Sequence, residues 1–305
     1  MSNHHTALTT AERAAIKWRD LAPMHWHDGV IECCHPLPWL AASWWGATQG
    51  LWFIAIPASF MFFLTALRLN HEAIHGNLGF RARGHRVVLH GLSALMLGSN
   101  NAVAFNHLQH HRHIGTPDDL EGACGRMTAA QVIAHGPLFP LRMHRAAWQQ
   151  GGAALRRRMR IDLALNLLVA ATALMIGAPF LLYHLAAMIV AQCLTAFFAV
   201  WITHHDCEPE DVARTQRSPV INFVSYNMLL HLEHHLFPGV PVRRLGILAR
   251  RIAAAAPEFA RGNALVVPEP RLFRPASARL AHGNQHRPLE KQRNRSWLRL
   301  SMRCI

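Results

Sequence analysis

Two long apolar blocks constrain the chain more than any other feature. Residues 37–69 carry no charge before Arg68, and residues 163–178 and 180–201 form a second apolar pair around Gly177 and Pro179. A helix rises about 1.5 Å per residue, so a bilayer core about 30 Å thick takes roughly 20 apolar residues to cross. The first block holds one clear span over 51–69 and a shorter partner over 39–48, broken at Gln49-Gly50. Each block therefore reads as a hairpin that leaves one side of a membrane and returns to it. The expected fold is all-α and integral to the membrane, with about four transmembrane helices in two hairpins.

A third apolar stretch, 87–105, is interrupted by Gly91, Gly98, Ser99, Asn100 and Asn101, which suits an interfacial or half-buried helix better than a span. Arg81, Arg83, His85 and Arg86 precede it, and the run Arg156-Arg-Arg-Met-Arg160 precedes the second hairpin. Positive loops mark the cytosolic side, and the run is suited to anionic head groups. The expected location is the cell inner membrane, multi-pass. Half of the 305 residues are apolar and the formal net charge is +14. Beside such apolar blocks the charge points to lipid and not to nucleic acid. The N-terminus shows no basic region followed by an apolar one, so insertion is expected to use an internal segment. The six cysteines have no zinc-type pairing and read as reduced thiols.

The chain divides into a cytosolic lead-in over 1–36, a membrane domain over 37–260 and a basic tail over 261–305, read as disordered or lying on a surface. In the lead-in, Thr9 and Glu12 make a capping box for an amphipathic helix over 11–21 that carries Trp18. His25, Trp26, His27 and His35 read as a polar interfacial loop.

Histidines cluster in three boxes at the edges of the apolar blocks: His71 and His75 in HEAIH, His107, His110 and His111 in HLQHH, and His231, His234 and His235 in HLEHH. Positions i, i+3 and i+4 share one helix face, and the topology places all three boxes on the cytosolic side. Neutral imidazole is a common metal ligand, and eight of them exceed what one tetrahedral zinc can use, so two metal ions are expected. Nitrogen ligation without thiolate suits iron, copper or zinc, and iron is favoured because two ions held this way keep a position open for oxygen. Glu72, Glu233 and Asn227 are candidates to orient the rings. Asp118, Asp119 and Glu121 read either as such acids or as a solvated turn. His113 reads as a loop residue, His90 and His184 as hydrogen-bonded packing residues. Trp39, Trp44, Trp45 and Trp52 form an interfacial belt, while Met61, Phe62 and Phe63 line an apolar tunnel or face lipid.

HEAIH alone is also the zinc-protease signature, with Glu72 as general base, but that reading leaves six histidines idle. A transporter would carry polar residues within its spans, and these hold little beyond Asp162.

HEAIH, HLQHH and HLEHHLFPGVP between two apolar hairpins resemble the membrane fatty acid desaturase superfamily over roughly residues 37–250. The resemblance implies a cytosolic helical cap over four membrane helices, holding two iron ions that use O2 to remove two hydrogens from an acyl chain. It implies His71, His75, His107, His110, His111, His231, His234 and His235 as iron ligands, with a further ligand just after the last span. His204 and His205 both fall there, and His204 is favoured by its spacing to Cys207. No catalytic residue is expected beyond the metal site. The substrate would be a fatty acyl group linked to lipid, CoA or acyl carrier protein. No fused haem motif is present, so electrons would come from a separate ferredoxin or cytochrome. The nearest rival is a hydroxylase or ketolase of the same superfamily, acting on a fatty acid or a carotenoid.

Overall fold

The structure is a computed structural model in which residues 7–207, 212–262 and 265–266 are described. Among these the chain is helical, apart from one isolated parallel bridge between Thr215 and Leu265. In order the helices are α1 Thr10–Ala15, α2 Trp26–Cys34, α3 Pro36–Thr48, α4 Trp52–His75, α5 Ala82–Met96, α6 Asn100–His113, α7 Ala129–His135 and α8 Leu138–Gln150. There follow α9 Ala153–Ile176, α10 Pro179–Thr195, α11 Ile202–His204, α12 Pro219–Val224, α13 His231–Leu236, α14 Leu245–Ala255 and α15 Pro257–Gly262.

The first hairpin is α3 and α4. Ser43 Oγ lies 2.7 Å from Ser59 Oγ, and a Cβ on Gly46 would meet Ala55 at 2.9 Å, so the two helices run antiparallel in close register. Helix α4 has 24 residues, about 36 Å, longer than a bilayer core. Its last turn, with His71 and His75, therefore projects past the apolar part, and Gly76 ends it in the left-handed conformation (φ 73°). Helix α3, with 13 residues, is too short to span alone. The second hairpin is α9 and α10, joined at Gly177 (φ 67°). Leu167, Leu168, Leu174, Met175, Ile176, Ile189 and Val190 are exposed on it, as are Phe53 and Ile56 on α4. An apolar surface of this extent is matched by lipid and not by water.

Among the described residues three helical stretches are long and apolar enough to cross a membrane, namely α4, α9, and α10 continued to His204. The α5 and α6 pair would add a fourth by composition, but it is bent by 113°. The break falls at Leu97 (φ 54°) and Ser99, whose side chain caps α6 by accepting from Ala102 N. The bend swings α6 across the ends of the spans, in keeping with a stretch that does not cross.

The N-terminal region departs from expectation. Helix α1 has its capping box but stops at Ala15, because the chain turns extended at Ile16 (ψ 110°) and buries Ile16 and Leu21 against Leu232, Leu236 and Leu245. The loop expected around His25 to His35 is helix α2, with Asp28 accepting from His25 N at 3.1 Å. The expected basic tail falls almost wholly outside the described residues. The described cysteines are free, and burial pushes the Cys33 and Cys124 thiols up to about 11.

Candidate metal centre

Nine imidazoles meet where α4, α6, α11 and α13 converge. Their Nε2 atoms form two chains of contact. In the first, His71 lies 2.9 Å from His234, His234 lies 3.0 Å from His111, His111 lies 3.2 Å from His107, and His107 lies 3.1 Å from His75. In the second, His110 lies 3.2 Å from His204, His204 lies 3.0 Å from His231, and His231 lies 3.0 Å from His235. The structure thus gathers all eight box histidines and His204 into one cluster of five nitrogens linked by contact and one of four; within them the ligand atoms of His71, His75, His107 and His234, and those of His110, His204 and His235, all lie within 4.8 Å of one another.

These contacts are not a satisfied hydrogen-bond network. A neutral imidazole has one N–H and one lone pair, and each Nε2–H serves one contact, so in either row at least one buried Nε2 contact is left without a proton. His234 is almost fully buried, and burial together with the neighbouring imidazoles holds His231, His234 and His235 well below the ordinary histidine pKa, hence neutral. A cation between the nitrogens resolves the conflict. With a metal–nitrogen bond of about 2.1 Å, ligands at 90° lie about 3.0 Å apart and ligands at the tetrahedral angle about 3.4 Å apart. The observed spacings of 2.9 to 3.2 Å match the first, and the residues fit two metal ions.

The outer nitrogens fix two rings. His107 Nδ1 donates to Glu121 Oε1 at 2.9 Å, and His110 Nδ1 donates to Asp119 Oδ1 and Oδ2 at 2.9 and 2.8 Å. Each bond selects the tautomer whose Nε2 lone pair faces inward. Burial would raise the pKa of Glu121, but the His107, His110 and His204 imidazoles outweigh it and the carboxyl falls below its usual range. Asp118 is exposed. The solvated-turn reading is thus corrected for Asp119 and Glu121, two functional residues whose role the sequence left open.

Glu72 and Glu233 do not orient rings. Glu72 accepts from Val242 N at 3.2 Å, and its nearer oxygen is 3.7 Å from His71 Nδ1, beyond hydrogen-bond range; Glu233 accepts from Thr215 Oγ1 at 2.6 Å. Each adjoins a cluster histidine in a helix, and neighbours about 100° apart cannot share a face. Asn227 sits in a turn at φ 63°, and α13 begins only at His231, so the shared helical face expected for it does not exist.

His205 is turned away. Its Nδ1 donates to Trp201 O at 2.8 Å, its Nε2 accepts from Arg214 at 2.7 Å, and its ring stacks on Trp201 at 3.9 Å. A π-helical turn, Ala196–Trp201, lies just upstream and carries one extra residue per turn, setting which histidine faces inward. His113 ends α6 and not a loop. His90 bonds Asp162 and His184 bonds Leu95 O, as packing residues. Trp45 and Trp52 are exposed, whereas Trp39 donates to Tyr226 Oη at 2.9 Å and Trp44 packs on Phe180. Phe62 and Phe63 are buried in the helical core and face no lipid.

Fold and site together define a class: an all-helical membrane protein whose spans end in a buried, imidazole-lined centre. The family model described as fatty acid desaturase matches residues 42–262, and the chain belongs to that family. It is accordingly an oxidoreductase. No curated protein and no solved structure matches the chain.

Proposed function

We propose that this chain is a di-iron fatty acyl desaturase of the inner membrane, with its centre on the cytosolic side. The observation that carries the reading is the division of nine Nε2 atoms into clusters of five and four at near-90° spacing. Nine nitrogens over two ions exceed the eight that two tetrahedral zinc ions would use, which favours a higher-coordinate ion such as iron. His71, His75, His107, His111 and His234 would hold one ion, and His110, His204, His231 and His235 the other.

Iron bound there supplies the O2-dependent oxidation that removes two hydrogens from neighbouring methylenes. With two electrons from a separate ferredoxin or cytochrome and two protons from solvent, one O2 leaves as two waters while the carbon-carbon double bond forms. The protein's part is to keep His231, His234 and His235 neutral by burial and to present the lone pairs of His107 and His110 inward through Glu121 and Asp119. The substrate is an acyl group carried by lipid, CoA or acyl carrier protein. The zinc-protease reading has no support in the site, since Glu72 faces Val242 N and His71 and His75 share their cluster with three other imidazoles.

The test is metal content of detergent-purified protein, wild type beside His234→Ala, with the lipid profile of cells expressing each. About two irons per chain, lowered by the substitution, with new unsaturated acyl chains from wild type only, is the expected result. Hydroxylated or keto products would move the reaction to the rival oxygenase. One zinc that survives His234→Ala but not His71→Ala would overturn the di-iron reading.

A further inference from the structure

Between α6 and α7 the chain makes a tight 3-10 turn, Gly122–Arg126, that lies against Asp119 and against His204, which is distant in sequence. On one side Gly122 N donates to Asp119 Oδ1 at 2.8 Å, while a Cβ on Gly122 would overlap Asp119 Oδ2, the oxygen that accepts from His110 Nδ1 at 2.8 Å. On the other side a Cβ on Gly125 would lie 2.8 Å from the His204 carbonyl oxygen and 3.2 Å from its Cβ. Neither neighbour is the free end of a flexible side chain. Asp119 is held by His110 and Gly122, and His204 presents its own backbone.

The turn cannot back away. Cys124, at its centre, is 2 % exposed and packs with Val132, Phe139, Ala196 and Val200, and Trp201 Nε1 donates to Met127 O at 2.8 Å just beyond it. The same π-helical segment that aims His204 thus also clamps the turn. Of the four imidazoles in the second cluster, His204 is in contact with this turn and His110 is reached from it through Asp119. The five-imidazole cluster takes only Glu121 from the neighbourhood, on His107, and its other rings stand on α4, α6 and α13.

We propose that Asp119, Gly122 and Gly125 are positioning residues for the four-imidazole cluster alone, so that the two metal sites can be uncoupled from this turn. The inference rests on the two-metal reading above. It is tested without turnover, by titrating Co2+ into metal-stripped, full-length protein in detergent and following the cobalt absorption and bound metal per chain. Wild type is expected to take two ions. Gly125→Ala and Asp119→Asn are expected to leave one site unchanged and weaken the other, Asp119→Asn by about 10- to 100-fold, the usual effect of removing a ligand's hydrogen-bond partner. Glu121→Gln is expected to weaken the remaining site and spare this one. Asp119→Asn keeps the side chain's shape, so the test stands even if Gly125→Ala does not fold. Two unchanged sites in both variants, or equal weakening of both sites at an unchanged unfolding midpoint, would overturn the proposal. A wild-type chain that binds no cobalt would sink the two-metal reading itself, and is distinguished because wild type fails first.

Discussion

His204 and His205 are chemically identical neighbours with opposite surroundings. His204 offers Nε2 to two other imidazoles, whereas both nitrogens of His205 are spent on Trp201 O and Arg214. Replacing each by glutamine should therefore separate them. His204→Gln is expected to lower bound metal from about two ions per chain toward one, while His205→Gln keeps both and loses some stability through Arg214. Metal analysis of the two purified variants checks this, and equal metal loss from both would refute the assignment of the rings. At this scale the boxes were legible because i, i+3 and i+4 fix a common face before any tertiary contact exists. Asp119 and Glu121 were not legible. They reach His110 and His107 by the path of a turn, and a turn has no period to read. Choosing His204 over His205 depends on the π-helical turn, whose extra residue leaves no composition signature.

Among the helices, the contact that sets the site's geometry is made by Asp162. It lies fully buried on α9 and accepts from Ser99 Oγ at 2.6 Å and from Asn101 Nδ2 at 2.9 Å, with His90 Nδ1 at 2.6 Å. These partners flank the 113° break between α5 and α6, so Asp162 ties the second hairpin to the bend that carries His107, His110 and His111 across the span ends. Asp162→Ala would strand several buried donors, which costs about 1 to 3 kcal/mol for each group left unpaired. A marked fall in the unfolding temperature in detergent, together with metal loss, is the expected outcome. A variant that unfolds like wild type would show that the bend holds without Asp162. The packing of the N-terminal segment invites a second comparison. Arg251 pairs with Asp20 at the surface, and such pairs contribute about 0 to 1 kcal/mol, whereas Leu21 is buried beneath the third box. Leu21→Ala is expected to cost about 2 to 5 kcal/mol and Arg251→Ala far less, measured as shifts in the unfolding midpoint. The hairpins were legible from the length of the apolar runs. Burial of Ile16 and Leu21 was not, because a short amphipathic pattern does not say which surface it meets.

The direction of the whole molecule in the membrane follows from its two hairpins. His71 and His75 end α4, Arg156 to Arg160 begin α9, and His204 ends the run from α10, so the histidines and the basic run lie at the same ends of the apolar helices. The connections at Gly50 and Gly177 lie at the other ends. An excess of arginine marks the cytosolic side, so Gln49 and Ala178 are expected outside and Arg83 inside. Single cysteines at these three positions, in a background with the native cysteines replaced, can be probed in intact cells with a thiol reagent that does not cross membranes. Gln49→Cys and Ala178→Cys are expected to label from outside, and Arg83→Cys only after the membrane is opened. The opposite pattern would place the centre on the outer face, away from cytosolic electron donors, and would contradict the proposed reaction. Labelling of Gln49→Cys and Arg83→Cys from one side would mean that α4, which separates them, does not cross the membrane. Labelling of Ala178→Cys from the side of Arg83→Cys would mean the same for the second hairpin, and His204 could then no longer reach the cluster built by α4, α6 and α13.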